Sequence, residues 1–159
     1  LNLINKKSKI LGIDVDIRKH ALQSIKNHPI KNIQTIEGSS VKVDTFNKVK
    51  NISKKYKKIL ILLDSLHTHE HVKNELELYS QLVSKNSYII VFDTIPYFFD
   101  SKTDKIFRKN FKYKLTKKSN PKTAVDSFLK KNKNFKLDNF FNYHSLFSNC
   151  SDGFIKKIR

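Results

Sequence analysis

Residues Lys58–Asp93, KILILLDSLHTHEHVKNELELYSQLVSKNSYIIVFD, decide the fold. Two short apolar runs, Lys58–Asp64 and Ser87–Asp93, each end in an aspartate. Runs of this length, bounded by polar residues, read as strands buried on both faces. Between them, His71–Val83 carries Val72, Leu76, Tyr79, Leu82 and Val83. That three-to-four spacing predicts an amphipathic helix. A strand, a helix and a second strand make a parallel crossover unit, and both aspartates then stand at carboxyl ends of strands.

The pattern extends toward the N-terminus. Lys9–Asp14 (KILGID) and Asn32–Glu37 (NIQTIE) read as two more strands, each ending in an acid. Arg18–Lys26 and Val41–Tyr56 read as the helices that follow them. The expected class is α/β: a mostly parallel sheet with helices on both faces, in one domain spanning residues 1–159. Beyond Asp93 the period breaks, and residues 95–120 read as a variable lysine-rich loop with a short helix near Lys105–Phe111. Pro121 is suited to the first turn of a helix through Lys131, with Asn120 as its cap. Tyr143–Asn149 and Phe154–Ile158, around a turn at Ser151–Gly153, predict a C-terminal antiparallel hairpin.

Composition narrows the function. The formal net charge is +18, but of 32 basic residues only Arg18, Arg108 and Arg159 are arginine. The lysines are spread along the whole chain, as an AT-rich coding sequence would leave them. Nucleic-acid binders concentrate charge on one face and use arginine for bidentate phosphate contacts, so this charge argues against a nucleic-acid partner. No apolar run reaches the ~18 residues of a membrane span. The start, Leu1–Ile10, lacks the apolar segment of a secretory signal. Cys150 is the single cysteine, and a cytoplasmic setting is expected.

In open α/β sheets ligands bind at the carboxyl ends of strands. Asp14 is suited to accepting hydrogen bonds from ribose hydroxyls, with Asp16 capping the next helix. Gly38-Ser39-Ser40 permits a close backbone approach to a flat ligand, and Ser40 is a candidate cap. Asp64 and Asp93, at neighbouring strand ends, would repel unless a cation lies between them or one is protonated. A hard divalent cation such as Mg²⁺ suits these oxygens, and Thr94 offers another. His67 lies just past Asp64, where it could take a proton from a hydroxyl. His67, His69 and His71 alternate without the spacing of a tetrahedral zinc site. Glu70 and Glu75 are expected to favour the start of their helix through its dipole.

These residues carry a resemblance. Asp64-Ser65-Leu66-His67, Glu70-His71-Val72, Glu75-Leu76, Tyr79, Leu82-Val83, Ser87-Tyr88 and Asp93-Thr94 resemble the cephalosporin hydroxylase family, which also contains rhamnosyl O-methyltransferases. Gly12–Arg18, Glu37–Ser40, Asn120–Asn132, Phe135–Asp138 and Asp152–Ile158 match as well. The resemblance implies a Rossmann-like class I methyltransferase fold that uses S-adenosyl-L-methionine (SAM). It implies Asp14 on the SAM ribose, Gly38, Ser39 and Ser40 near the adenine, and Mg²⁺ at Asp64 and Asp93. His67 is then the general base, as in related sugar O-methyltransferases. The implied reaction is metal-assisted methyl transfer to a hydroxyl of a saccharide or sugar-containing small molecule. Alternatives are a cephalosporin-hydroxylase-type component acting on a β-lactam-like substrate, and a non-catalytic fragment or lysine-rich binding module. A homo-oligomer is left open. Phe92 stands where some members have Glu before the second acid. The fold's first strand and Gly-rich loop normally precede Lys9, so an incomplete N-terminus and an exposed sheet edge are expected.

Overall fold

The structure, a computed structural model, describes residues 8–110, 116–117, 119–144 and 148–159, apart from the side chains of residues 107, 108, 110 and 143. Its contacts divide the chain into two compact units, Leu1–Val49 and Lys50–Arg159.

In the first unit, β1 (Ile10–Asp14) and β2 (Ile33–Glu37) pair in parallel, with Ile10 opposite Ile33 and Asp14 opposite Glu37. Between them lies α1 (Lys19–Asn27). Its N-cap is Arg18, which makes no side-chain capping bond. Asp16 therefore does not cap it. The Asp16 backbone N–H instead turns back to the Asp14 carboxylate at 3.0 Å. The next helix, α2 (Val43–Ser53), starts later than expected. Lys42 precedes it and Ser40 lies in the turn before.

The second unit is built on a four-stranded mixed sheet of order β3 (Ile61–Leu63), β4 (Tyr88–Val91), β6 (Phe154–Lys157), β5 (Phe135–Leu137). β3 and β4 are parallel; β6 is antiparallel to both β4 and β5. Against this sheet lie α3 (His69–Tyr79) and α5 (Pro121–Lys131), which pack extensively on each other. Val72 and Leu76 from α3, Ala124, Val125 and Phe128 from α5, and Leu63, Ile89, Val91, Phe135 and Ile155 from the strands form one buried cluster. The apolar positions of α3 and α5 recur at helical spacing, which is why these two helices cover the sheet. Thr68 caps α3 by accepting from the His71 N–H. Asn120 and Thr123 form a reciprocal capping box on α5, with Pro121 in its first turn. Lys157 donates to the carbonyls of Ser80 and Val83 just past α3, placing a cation where the helix dipole is negative.

The C-terminal antiparallel pairing is present, but its partner strand differs from the expected one. Tyr143 and His144 belong to α6 (Asn139–His144), and residues 145–147 lie outside the described residues. Asp138 accepts the Phe140 N–H at 3.0 Å and starts that helix, and Phe140 stacks on His144 one turn later. Phe135 provides the inward anchor of the true partner strand, packing edge-on against Phe128. The Asp138 carboxyl is held below its usual range, chiefly by the Tyr88 hydroxyl that donates to it at 2.7 Å.

The lysine-rich stretch holds more helix than expected. A 3₁₀ turn spans Ile95–Phe98 and α4 runs from Ser101 to Asn110. Asp100 accepts the Thr103 N–H at 2.7 Å, a local start signal for α4. Phe111, the expected end of a short helix there, lies outside the described residues.

Gly153 fixes the turn that leads into β6. A Cβ there would meet the Val91 carbonyl oxygen and lie 2.9 Å from that of Cys150, both backbone atoms unable to retreat. Gly153 also accepts the Val91 N–H at 3.0 Å. Gly153→Ala is expected to destabilise the protein by about 1–3 kcal/mol, the usual cost of overpacking. Urea unfolding followed by circular dichroism checks this, and an unchanged midpoint would contradict it.

Candidate metal centre

The centre is a consequence of the β3–β4 register. Leu63 pairs with Val91, and the Phe92 N–H continues the ladder to the Leu63 carbonyl at 2.9 Å. The chain leaves each strand within two residues, at Asp64 and at Asp93. Asp93 has φ +54°, a left-handed conformation that few non-glycine residues adopt. Such strain gathers at functional sites, where surrounding contacts hold it. Here Asn149 holds it. The Asn149 carbonyl accepts from both the Thr94 N–H (3.0 Å) and the Thr94 hydroxyl (3.3 Å), and its side-chain amide donates to Asp93 Oδ1 at 3.4 Å.

His67 completes the group. Its Nε2 lies 3.1 Å from Asp93 Oδ2 and 4.0 Å from Asp64 Oδ1. One ligand atom from each of Asp64, His67 and Asp93 lies within 4.8 Å of the other two. Oxygens around Mg²⁺ at about 2.1 Å are roughly 3 Å apart when adjacent, so a modest shift would let the Asp64 and Asp93 oxygens share one cation, with His67 beside it. The Asp64 side chain is 62% exposed and that of Asp93 39%, which leaves lone pairs open to a cation and its waters. The residues present therefore fit a hard divalent cation.

The three histidines of the His67–His71 stretch go to three different partners. His67 faces the acids, His69 Nδ1 hydrogen-bonds with the Thr123 hydroxyl at 2.8 Å, and His71 Nε2 lies 3.5 Å from Glu75. Thr94, expected as an oxygen donor, is fully buried with its hydroxyl engaged by the Asn149 carbonyl. It fixes the chain just after Asp93.

Two residues near the centre escaped sequence reasoning. Asn149 carries no local signal for this role, because Asp93 and Thr94 lie 56 and 55 residues away in the chain. The sequence suggests a dipole partner in Glu75, but it is buried in the middle of α3; only Glu70 stands in the first turn. Cys150 is buried, and that burial pushes its thiol pKa up, with Asp93 and Asp64 adding to the effect. It stays a neutral thiol beside the acids.

In the first unit, Asp14 lines an open cleft of about 710 Å³, together with Gly12, Asp16, Arg18, Ala21 and Thr35. Clefts of this size hold nucleoside-sized ligands. Gly38 has φ +152°, and a Cβ there would come 2.6 Å from Thr45 Oγ1. Packing under α2 is thus enough to require glycine at 38. The Ser39 carbonyl accepts the Lys42 N–H at 3.1 Å, and Ser40 lies in the same turn.

The sequence model of the rhamnosyl O-methyltransferase/CmcI family matches residues 1–158. The chain belongs to this family. No curated protein sequence matches it significantly. Among solved structures it is similar to the MycE methyltransferase of the mycinamycin biosynthetic pathway in complex with Mg, SAH and mycinamycin VI, at 14% identity and TM-score 0.51, covering 95% of this chain and 36% of that one. A second structure of that methyltransferase, with Mg and SAH, gives 13% identity, TM-score 0.52, and coverage of 95% and 38%. At such identity the likeness concerns the fold, and the chain spans little more than a third of those structures. The family member described here has the α/β fold of a methyltransferase, and no helix among its described residues is long and apolar enough to cross a membrane.

Proposed function

We propose that this chain carries the catalytic centre of a SAM-dependent, metal-assisted O-methyltransferase acting on a hydroxyl of a sugar or sugar-containing small molecule. The observation that carries the reading is the convergence of Asp64, Asp93 and His67 at the ends of two parallel strands. Family membership supports it, and MycE, similar in fold, was solved with Mg, SAH and a mycinamycin.

When bound, a divalent cation supplies acidification of the acceptor hydroxyl, and SAM supplies the methyl group. Asp64 and Asp93 hold the cation. His67 takes the hydroxyl proton on Nε2. Its Nε2 lies 3.1 Å from Asp93 and 4.0 Å from Asp64, so the base stands beside the acids that would hold the cation. Asp14 accepts hydrogen bonds from the ribose of SAM, with Gly38, Ser39 and Ser40 on the adenine side. Orientation of acceptor and methyl donor contributes most of the rate, as in other two-substrate transfers. The donor set favours this chemistry over iron-dependent hydroxylation, because the cluster contains a single imidazole where a non-haem iron site takes two as ligands.

The test uses the chain with SAM and a panel of glycoside acceptors, with Mg²⁺ and then with EDTA. Transfer that requires the cation and returns when it is restored is the expected result. Failure to bind SAM, or transfer indifferent to chelation, would overturn the reading.

A further inference from the structure

Glu75 is the most deeply buried carboxylate among the described residues, at 2% exposure, on the face of α3 that also buries Val72, Leu76 and Tyr79. Burying a carboxylate is costly unless its lone pairs are filled. Ser65 fills one oxygen, its hydroxyl donating to Glu75 Oε2 at 2.7 Å. His71 Nε2 lies 3.5 Å from the other. Tyr79, one turn further along α3, has its hydroxyl pKa pushed up to about 12, first by burial and then by the Glu75 charge.

The position of Ser65 is what matters. It follows Asp64 directly and precedes His67 by two residues, within the turn that joins β3 to α3. One end of that turn is tied by the bond between the Phe92 N–H and the Leu63 carbonyl. Its other end is tied by the Thr68 cap. Between these ties, Ser65 joins the turn to the buried face of a rigid helix. Its neighbours in the chain, Asp64 and His67, are the groups that converge on Asp93. An apolar residue at position 75 would suit the core better, so the carboxylate there is explained by what it holds.

We infer that Glu75 is a positioning residue. Through Ser65, with His71 on its other oxygen, it keeps the Asp64 carboxylate and the His67 imidazole at their distances from Asp93. This rests on the reading of the acid pair as a cation site.

The experiment measures Mn²⁺ affinity of the full chain by electron paramagnetic resonance, in wild type, Ser65→Ala, Glu75→Ala, the double variant and Glu75→Gln. Residues that orient metal ligands cost about 10–100-fold in affinity when removed, so each alanine variant is expected to raise Kd at least about tenfold. The double variant is expected to be no weaker than the weaker single variant, because both remove one hydrogen bond. Glu75→Gln keeps an oxygen acceptor for Ser65 and is expected to recover most of the affinity. An unchanged Kd in Ser65→Ala, multiplicative effects in the double variant, or a glutamine variant as weak as the alanine would each overturn the inference. Ser65→Ala alone decides the matter if Glu75→Ala does not fold. Absence of Mn²⁺ binding in wild type would sink the cation site and this role with it. Wild-type binding that Asp93→Asn abolishes and Ser65→Ala leaves intact would remove the positioning role alone.

Discussion

Asp93→Asn is expected to abolish divalent-cation binding at the centre and to lower methyl transfer by about 10²- to 10³-fold, the scale on which a preorganised charge acts. The substitution isolates charge from shape. Position 93 has φ +54°, and asparagine is one of the few non-glycine residues that tolerates this region. Asparagine also keeps the size and shape of the side chain beside His67 Nε2. The contacts of Asn149 with Thr94 run through Thr94's own N–H and hydroxyl, so they survive the change. In the cation-free protein the variant loses the repulsion between two carboxylates and is expected to be at least as stable as wild type. Less cation binding with equal or greater stability is the signature of acids kept for function. Isothermal titration with Mg²⁺ or Mn²⁺, beside thermal unfolding in EDTA, measures both halves. Retained cation affinity would remove the centre. Lost affinity together with a large loss of stability would show that Asp93 serves the fold.

His67→Ala is expected to lower transfer by about 10²- to 10⁴-fold, the usual contribution of a positioned general base. Cation affinity should change little, because a hard cation draws on the carboxylates more than on imidazole. Added imidazole should recover part of the rate, since the partly buried His67 side chain leaves a space that opens toward solvent. The variant therefore separates a base from a ligand. If Mn²⁺ affinity falls as far in His67→Ala as in Asp93→Asn, His67 belongs to the coordination shell and the proton must go elsewhere. If activity persists without imidazole, His67 has neither role.

Much of this was legible from local signals. The strand preceding Asp64 and the one preceding Asp93 were readable because each is a short apolar run with an abrupt polar end. The α5 start was readable to the residue, since Asn120-Pro121 combines a cap with a proline in the first turn. The cap of α1 differs from the expected one. Asp16 looks like a cap by type, yet its N–H is spent on Asp14 and the helix begins at Lys19. Several polar residues near a helix start can compete for that position, and only backbone geometry selects among them.

The sequence by itself determined the alternation of strands and helices up to Asp93, the parallel pairing of β1 with β2 and of β3 with β4, and the acids at the strand ends. These follow from periodicity and from residue types a few positions apart. Tertiary structure decided what depends on partners far along the chain. It made Phe135–Leu137 the neighbour of β6, because Phe135 docks on Phe128 while Asp138 starts a helix that takes in Tyr143 and His144. It brought Asn149 to Asp93, turned Glu75 inward to Ser65, and set His67 between two carboxylates. Helical spacing shows which face of α3 is apolar, but which polar side chain joins that face depends on the turn packed against it.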